Sequence, residues 1–519
     1  MQNDLTKGSV FSTIVRFSLP YFAAFFLQTF YGLADLFITG QFCGAETITA
    51  VANGSQVMHF VTVVVVGLSV GTTVMIAHEV GRGSSGSSIK TSSAEISEHA
   101  TENGEHAHGR SSGVAGKAGS RIDRIIGNTV TVFAAFALFM TAVLLFCARG
   151  IVAIMQTPPE AKAGMLTYIM ICFAGIPFIT AYNVIAAIFR GLGDSRTPMV
   201  FVGIACVLNI GLDNLLIGSF SMGAAGAAFA TIIAQTTSVI LAFIWIRISN
   251  GTDKGQARVG GSERGRAQVG GSDKEQAPVG TWRSSATHGT GIHFTKADLV
   301  PDRSIIEGFV RIGLPIACQD AFIQVSFLVI TAIANSRGVE IAAAVGIVEK
   351  IITFLFLIQS TMLSTISSVG AQAVGAGMYE RARKILFTAM ALSIAINAVF
   401  TVSFQFISED VLSLFTNNAD VVEYGSQYLR TYILDAVLTS IHFCFSGYFS
   451  CIGMSIWSFI HNAVSIVCVR IPGAYLASKL FPDTLYPMGL AAPMGSLLSA
   501  VICVAVYIYI QRQTIYGGK

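Results

Sequence analysis

Residues 16–40 read RFSLPYFAAFFLQTFYGLADLFITG, an apolar run opened by Leu19-Pro20 and carrying one acid, Asp35. A run of this kind can cross a membrane, because the hydrocarbon layer is about 30 Å thick and a helix rises about 1.5 Å per residue. Its opening recurs as Leu314-Pro315 in RIGLPIA, residues 311–317, so the run has a partner in the other half of the chain. Further pairs follow in the same order. Gly81-Arg82-Gly83 matches Gly375-Ala376-Gly377, Gly193 in RGLGDS matches Gly453 in SCIGMS, and Met222-Gly223 matches Met488-Gly489. The spacing between matched residues shortens across 84–120, which marks that segment as an insertion in the first half.

Working outward from the first run, apolar stretches are expected to form helices at 10–39, 47–80, 124–147, 160–189, 197–217 and 223–247. A second set lies at 305–335, 341–374, 384–407, 421–450, 457–478 and 488–511. The fold expected is an all-α integral membrane protein of twelve transmembrane helices in two pseudo-symmetric six-helix lobes. The N-terminal lobe is placed at 1–250 with a disordered insertion at 84–120, and the C-terminal lobe at 301–519. Between them, 251–300 is expected to be a disordered cytoplasmic linker, rich in Gly, Ser and charge and unable to bury a core.

Composition agrees with this reading. Hydrophobic residues make up 53% and charged residues only 12%, about half the charged fraction of ordinary globular proteins. A soluble fold is excluded, and continuous apolar runs argue against a barrel of alternating strands. The nine cysteines are scattered without a Cys-x-x-Cys pair, so neither a zinc site nor a disulfide framework is indicated. No groove-like basic and aromatic pattern supports nucleic-acid binding. Lys and Arg concentrate in the connections on the side of the chain termini, which places both termini in the cytoplasm. The first apolar run is too long for a signal-peptide core and is expected to stay. Halves with an even number of spans share orientation, are related by an axis along the membrane normal, and hold substrate between them.

An ionisable group inside a span costs about 2.5–3.5 kcal/mol on insertion scales, so each one needs a reason. The first half offers Asp35 and Asp213. Gln28 lies two turns before Asp35 and Asn209 one turn before Asp213, each pair on one helix face, and Thr231 is a candidate hydroxyl on the next helix. If the first and fifth helices face each other, these groups form a polar cluster. Desolvation disfavours the charged form of a carboxyl group, so a transmembrane proton gradient could load and unload it. A structural acid hydrogen-bonded to Asn209 is the alternative. In the second half the acids are Asp320, Glu349 and Asp435, with Arg311, Lys350, Arg430 and Arg470 at or near span ends as partners, and structural and functional readings of them stand level. Asp35 and Asp213 have Ile330 and Gly473 as their matched residues, so the lobes are chemically unequal.

Taken as a set, the Leu-Pro openings, Asp35 before Gly40–Gly44, FRGLGDSRTP at 189–198, Asn209 with Asp213, VGAQAVGAG at 369–377 and Arg470-Ile471-Pro472 resemble the multidrug and toxic compound extrusion (MATE) family. The resemblance covers nearly all of the chain outside its two polar loops. It implies two six-helix lobes in a V around a cavity that alternates between faces. It also implies a first-lobe site for H⁺ or Na⁺ at Gln28, Asp35, Asn209, Asp213 and Thr231, with Asp320, Glu349 and Asp435 as second-lobe candidates. The activity implied is secondary antiport in the cell membrane, exporting small organic and often cationic compounds in exchange for H⁺ or Na⁺; a monomer is expected.

A flippase for a lipid-linked or amphipathic molecule is the alternative within transport. An enzyme is not indicated, since no His-Glu-x-x-His or phosphate-binding loop occurs. No cofactor beyond the transported ion and no bound metal is expected. The tract Glu98, His99, Glu105, His106 and His108 reads as a solvated loop, and His59, His78, His442 and His461 as hydrogen-bonded helix contacts.

Overall fold

Backbone N–H and C=O groups find no water in hydrocarbon, so each apolar run closes its hydrogen bonds on itself as a helix. The computed structural model describes residues 4–97, 112–155, 157–263 and 295–516. The first half supplies α1 (Val10–Phe42), α2 (Ala45–Ser97), α3 (Ser112–Ile154), α4 (Pro159–Ala174 and Ile176–Gly191), α5 (Arg196–Ser219) and α6 (Gly223–Glu263). The second supplies α7 (Arg303–Asn335), α8 (Val339–Gly375), α9 (Tyr379–Ser413), α10 (Ala419–Tyr432 and Asp435–Cys451), α11 (Ile456–Leu480) and α12 (Tyr486–Tyr516). Ten are single helices long and apolar enough to span, while α4 and α10 are pairs bent by 50° and 41° that each make one span. The twelve expected helices are present, and this is a multi-pass membrane protein.

The structure changes three expectations. The runs 160–189 and 421–450 are each broken. In α4 the break is at Gly175, with Pro177 in the first turn of the second segment, where a missing N–H costs nothing. In α10 it falls at Ile433 and Leu434, and Asp435 opens the second segment. The insertion 84–120 is helical at both ends, as α2 runs on to Ser97 and α3 starts at Ser112, because a nucleated helix extends into polar sequence at little cost. Residues 98–111, with the Glu/His tract, lie outside the described residues.

The linker reading changes most at its end. While α6 continues to Glu263, a tight turn at Lys296–Leu299 docks on α3. Gly127 makes room for it, since a Cβ there would stand 2.4 Å from the Asp298 carbonyl oxygen. Asn128 clamps the turn: its Nδ2 donates to the Asp298 carbonyl at 3.2 Å and its Oδ1 accepts from the Asp302 N–H at 2.6 Å. The Thr295 N–H and hydroxyl, donating to Asp298, hold that carboxyl below the usual carboxylate range. Residues 264–294 lie outside the described residues.

The sequence repeat is also a structural repeat. Pro20 and Pro315 sit inside α1 and α7. Gly193 and Gly453 both take the left-handed backbone conformation, at φ 87° and 78°, that a side chain would oppose. The same turn bond follows each: Asp194 N–H to Phe189 O at 2.9 Å, and Met454 N–H to Phe449 O at 2.7 Å.

The halves close on the face that carries both ends of the chain. Gly81 of α2 lies against the Gln372 carbonyl of α8, and its matched residue Gly375 lies against the His78 carbonyl; a Cβ at either glycine would stand 2.1 Å from that oxygen. His78 Nε2–H donates to the Cys451 carbonyl at 2.7 Å, and Gln372 Nε2 donates to the Gly191 carbonyl at 3.3 Å. His78 matches Gln372 and Gly191 matches Cys451 in the repeat, so these two bonds form a pseudo-two-fold latch. Ser368 adds a bond to the Arg190 carbonyl at 2.7 Å, and Arg381 grips the carbonyls of Leu5, Lys7 and Gly8. Hydrogen bonds and ring contacts between the halves, among the described residues, reach only to mid-span, at Phe26–Phe354 and His59–Gln324. Beyond that level no such bond or ring contact joins the halves among the described residues.

Overpacking a close backbone contact costs about 1–3 kcal/mol, so Gly375→Val is expected to open the terminal-side closure. Cys451 is buried at that contact, and its labelling by a maleimide should become several-fold faster than in the parent; unchanged labelling would mean that the glycine pair does not set the closure.

Candidate functional site

Helices α1, α5 and α6 pack together within the first half and bring four of the five expected residues into one cluster. Thr231 Oγ1 on α6 donates to Asp35 Oδ2 on α1 at 3.2 Å. Asn209 and Asp213, one turn apart on α5, lie within interaction range of Asp35. Exposure is 4% for Asp35, 1% for Asn209 and 0% for Asp213, so water does not compensate them from outside. Asp35 Oδ1, both carboxyl oxygens of Asp213 and both polar atoms of Asn209 have no hydrogen-bond partner among the described residues. No ion pair reaches either acid among those residues.

Buried polar atoms are nearly always satisfied, so this many orphans in one place call for something the chain does not itself supply. Two neighbouring carboxyl groups in a low dielectric cannot both stay charged without a positive partner. A proton on one of them or a small cation between them completes the set. The donors are all oxygens, from carboxyl, amide and hydroxyl groups, which suit a hard cation. Local structure helps to aim them. Directly after Asp213 the helix widens into a π turn, Asn214–Ser219, a feature that often marks functional positions.

Gln28 enters the site only indirectly. It interacts with Tyr31, whose hydroxyl accepts from Gln235 Nε2 at 2.9 Å. Tyr31 and Gln235 were not singled out from sequence, although spacing could have found them: Tyr31 is four residues before Asp35 and Gln235 four after Thr231, each on the same helix face. Gln235 Oε1 is a further unpartnered atom beside the cluster.

The second-half acids occupy separate positions. Glu349 on α8 accepts from Thr331 Oγ1 at 3.0 Å, and its other oxygen is unpartnered. Asp435 is buried in the first turn of the second α10 segment, where the helix dipole favours a carboxylate. Arg470 is a mid-span residue and not a span-end one. It closes a π turn, Ile466–Arg470, is buried, donates to the Tyr432 hydroxyl, and lies 5.0 Å from the Phe327 ring centroid. Its charge reaches both Glu349 and Asp435. Arg430 pairs instead with Glu409 at 3.0 Å. The second half thus carries its own positive charge beside its acids, and the first-half cluster has none.

The histidines have ordinary partners: His442 meets Ser496, and His461 meets Ser446 and Ser499. Among the described residues no group of three or more His, Cys, Asp or Glu forms a metal cluster.

The family model MatE matches residues 20–87, 114–215 and 315–476. The chain is 23% identical over 506 residues to the probable multidrug resistance protein YpnP of Bacillus subtilis (strain 168), covering 98% of this chain and 96% of that protein. Its fold is similar to a solved structure described as the outward-facing conformation of a multidrug resistance MATE family transporter of the MOP superfamily, with a TM-score of 0.78, 20% identity and 98% of each chain covered. A MATE crystal structure in complex with MaL6 superposes with a TM-score of 0.79 at 19% identity, again over 98% of each chain.

Asp213→Asn removes one of two adjacent carboxyl groups at nearly constant volume. Relief of the like-charge pair is expected to raise the melting temperature in detergent by about 2–4 °C per kcal/mol gained. A fall of that size would instead assign Asp213 a structural, hydrogen-bonding role.

Proposed function

We propose, starting from the premise that the chain belongs to the MatE family, that it is a secondary antiporter of the cytoplasmic membrane exporting small organic compounds in exchange for H⁺ or Na⁺. The observation that carries the reading is the buried cluster of Asp35, Asn209, Asp213 and Thr231, with its unpartnered oxygens and no base beside it. A group of that kind changes its surroundings when a cation arrives, and only a difference in cation affinity between two conformations can drive a transport cycle.

The conformation described fits one half of such a cycle. With both termini in the cytoplasm, as the Lys and Arg distribution argues, the closed terminal face is the inner one and the cleft opens outward. Loading the first-half cluster from outside would alter how α1 packs against α5 and α6, and would favour release of substrate into the open cleft. Supporting the cluster as the coupling site is the contrast with the second half, where the Arg470 charge lies within electrostatic range of Glu349 and Asp435 without an ion pair to either. Asp320, Glu349 and Asp435 are therefore not coupling groups in this reading. The cluster and the cleft are both built within one chain, so a monomer suffices, and no resident cofactor is needed.

The test is efflux of a fluorescent organic compound from proteoliposomes under a pH gradient or a Na⁺ gradient, imposed separately. Asp35→Asn is expected to lower gradient-driven flux about tenfold or more, the scale of an interaction worth about 1.4 kcal/mol, with binding of the compound retained. Flux that ignores both gradients in the parent would overturn coupled export and favour a cation-independent flippase.

A further inference from the structure

The chain ahead of α1 is shaped by contacts with the other half of the molecule. Arg381, in the first turn of α9, donates from Nη1 to the Gly8 carbonyl at 3.0 Å and from Nη2 to the Leu5 and Lys7 carbonyls at 3.1 and 3.0 Å. A planar guanidinium with several donors suits such a grip. The Leu5 N–H donates to Gln372 Oε1 at 3.2 Å, while Gln372 Nε2 holds the Gly191 carbonyl in the latch. One side chain of α8 thus joins residues 4–8 to the closure between the halves. The Leu5 side chain packs against a buried cluster that includes Val369 and Ala373 of α8 and Ile385 of α9, and Thr6 is buried.

Residues 4–8 also hold this shape from within. The Asp4 carboxylate accepts from the Thr6 N–H at 3.0 Å and from the Thr6 hydroxyl, and Lys7 Nζ lies 3.3 Å from Asp4 Oδ2. Gly8 takes φ 80°, a left-handed conformation that a side chain would oppose, although nothing lies within 4 Å of the place where its Cβ would stand. The grip of Arg381 reads backbone only. Arg381 is half-buried and Lys7 exposed, so water replaces the carbonyls when the segment leaves, and no charge is stranded in the interior. The attachment is specific in geometry and exchangeable in energy.

We infer that residues 4–8 are a detachable strap, which holds the terminal face shut while docked on α8 and α9 and leaves them each time that face opens. The inference rests on the transport reading above only for the need of that face to open; the docking stands on the contacts themselves. The latch joins α2 and α4 to α8 and α10. The strap adds α1, into which it runs directly. Farther along α1 lies Asp35 in the coupling cluster, with Pro20 between the two. Strap and cluster therefore act on one helix from opposite sides of its proline. Docking favours the closed face when the cluster is unloaded, and a conformational change is biased by each contact that differs between the two states. The strap is thus an autoinhibitory element against idle opening.

The test uses full-length protein in lipid nanodiscs, with hydrogen exchange at the amides of residues 4–8 and maleimide labelling of Cys451 as the two readouts. Arg381→Ala removes the grip, and Gly8→Val unsettles the strap without touching α8 or α9, since a β-branched residue opposes φ 80°. Each is expected to speed both readouts about tenfold, the scale of lost charge-assisted bonds. The double variant should go no faster than the faster single one, because a strap already released has nothing more to lose. In Gly375→Val, expected to open the face from α8, the strap amides should exchange as fast as in Arg381→Ala. Unchanged Cys451 labelling in both single variants overturns the inference, as do effects that multiply in the double. Strap amides that stay protected in Gly375→Val overturn it too, since the strap would then ride with the second half. Gly8→Val decides alone if Arg381→Ala does not fold. Gradient-driven efflux by the parent is read separately: its presence keeps the transport reading whatever the strap does, and its absence removes that reading while the two readouts still decide the docking.

Discussion

A carboxyl group taken out of water must either give up its charge or acquire a positive partner, and the two halves of this molecule meet that constraint differently. In the first half Asp35 and Asp213 face each other with an amide and a hydroxyl beside them and no base. In the second, Arg470 and the start of a helix segment supply positive potential to Glu349 and Asp435. A fixed positive charge nearby makes a site less receptive to cations from outside. A site without one takes its partner from solution, and that partner can leave again.

The same asymmetry sits on a nearly symmetric frame. The latch on the terminal face uses matched glycines and matched side-chain to carbonyl bonds from the two halves. In membranes small residues let helices approach until backbones touch, and α2 meets α7 at Gly67, Gly71 and Gly313 and α8 at Gly81 and Gly375 in this way. Three π turns fall at pivotal places: after Asp213, at the approach to the latch in Ile366–Gly370, and at Arg470. Each locally loosens the helical ladder at a point where a side chain or a backbone contact has to be aimed.

One helix joins the two regions. Along α1, Asp35 belongs to the polar cluster, Phe26 to the cleft, and Tyr21 to the closed face, where its hydroxyl donates to Ser364 at 3.0 Å and its ring lies 4.8 Å from the Arg190 guanidinium carbon. A change in how Asp35 is held therefore acts on the same helix that contributes to closure. Pro20 interrupts the hydrogen-bond ladder of that element one residue before Tyr21, which gives it a place to bend.

Much of this could be read from the chain itself. Span length and the cost of bare backbone in hydrocarbon dictate twelve helices. Matched Leu-Pro and glycine positions dictate two related halves, and the rarity of acids in spans points to Asp35 and Asp213. Spacing along single helices even held the clue to Tyr31 and Gln235. What sequence could not decide is which helix faces turn towards each other, because that depends on packing between segments far apart in the chain. Only the tertiary structure puts Thr231 on Asp35, sets Arg470 mid-span within range of the second-half acids, and bends α10 just before Asp435. Local periodicity says that a residue has a face, and only the assembled helices decide what that face meets.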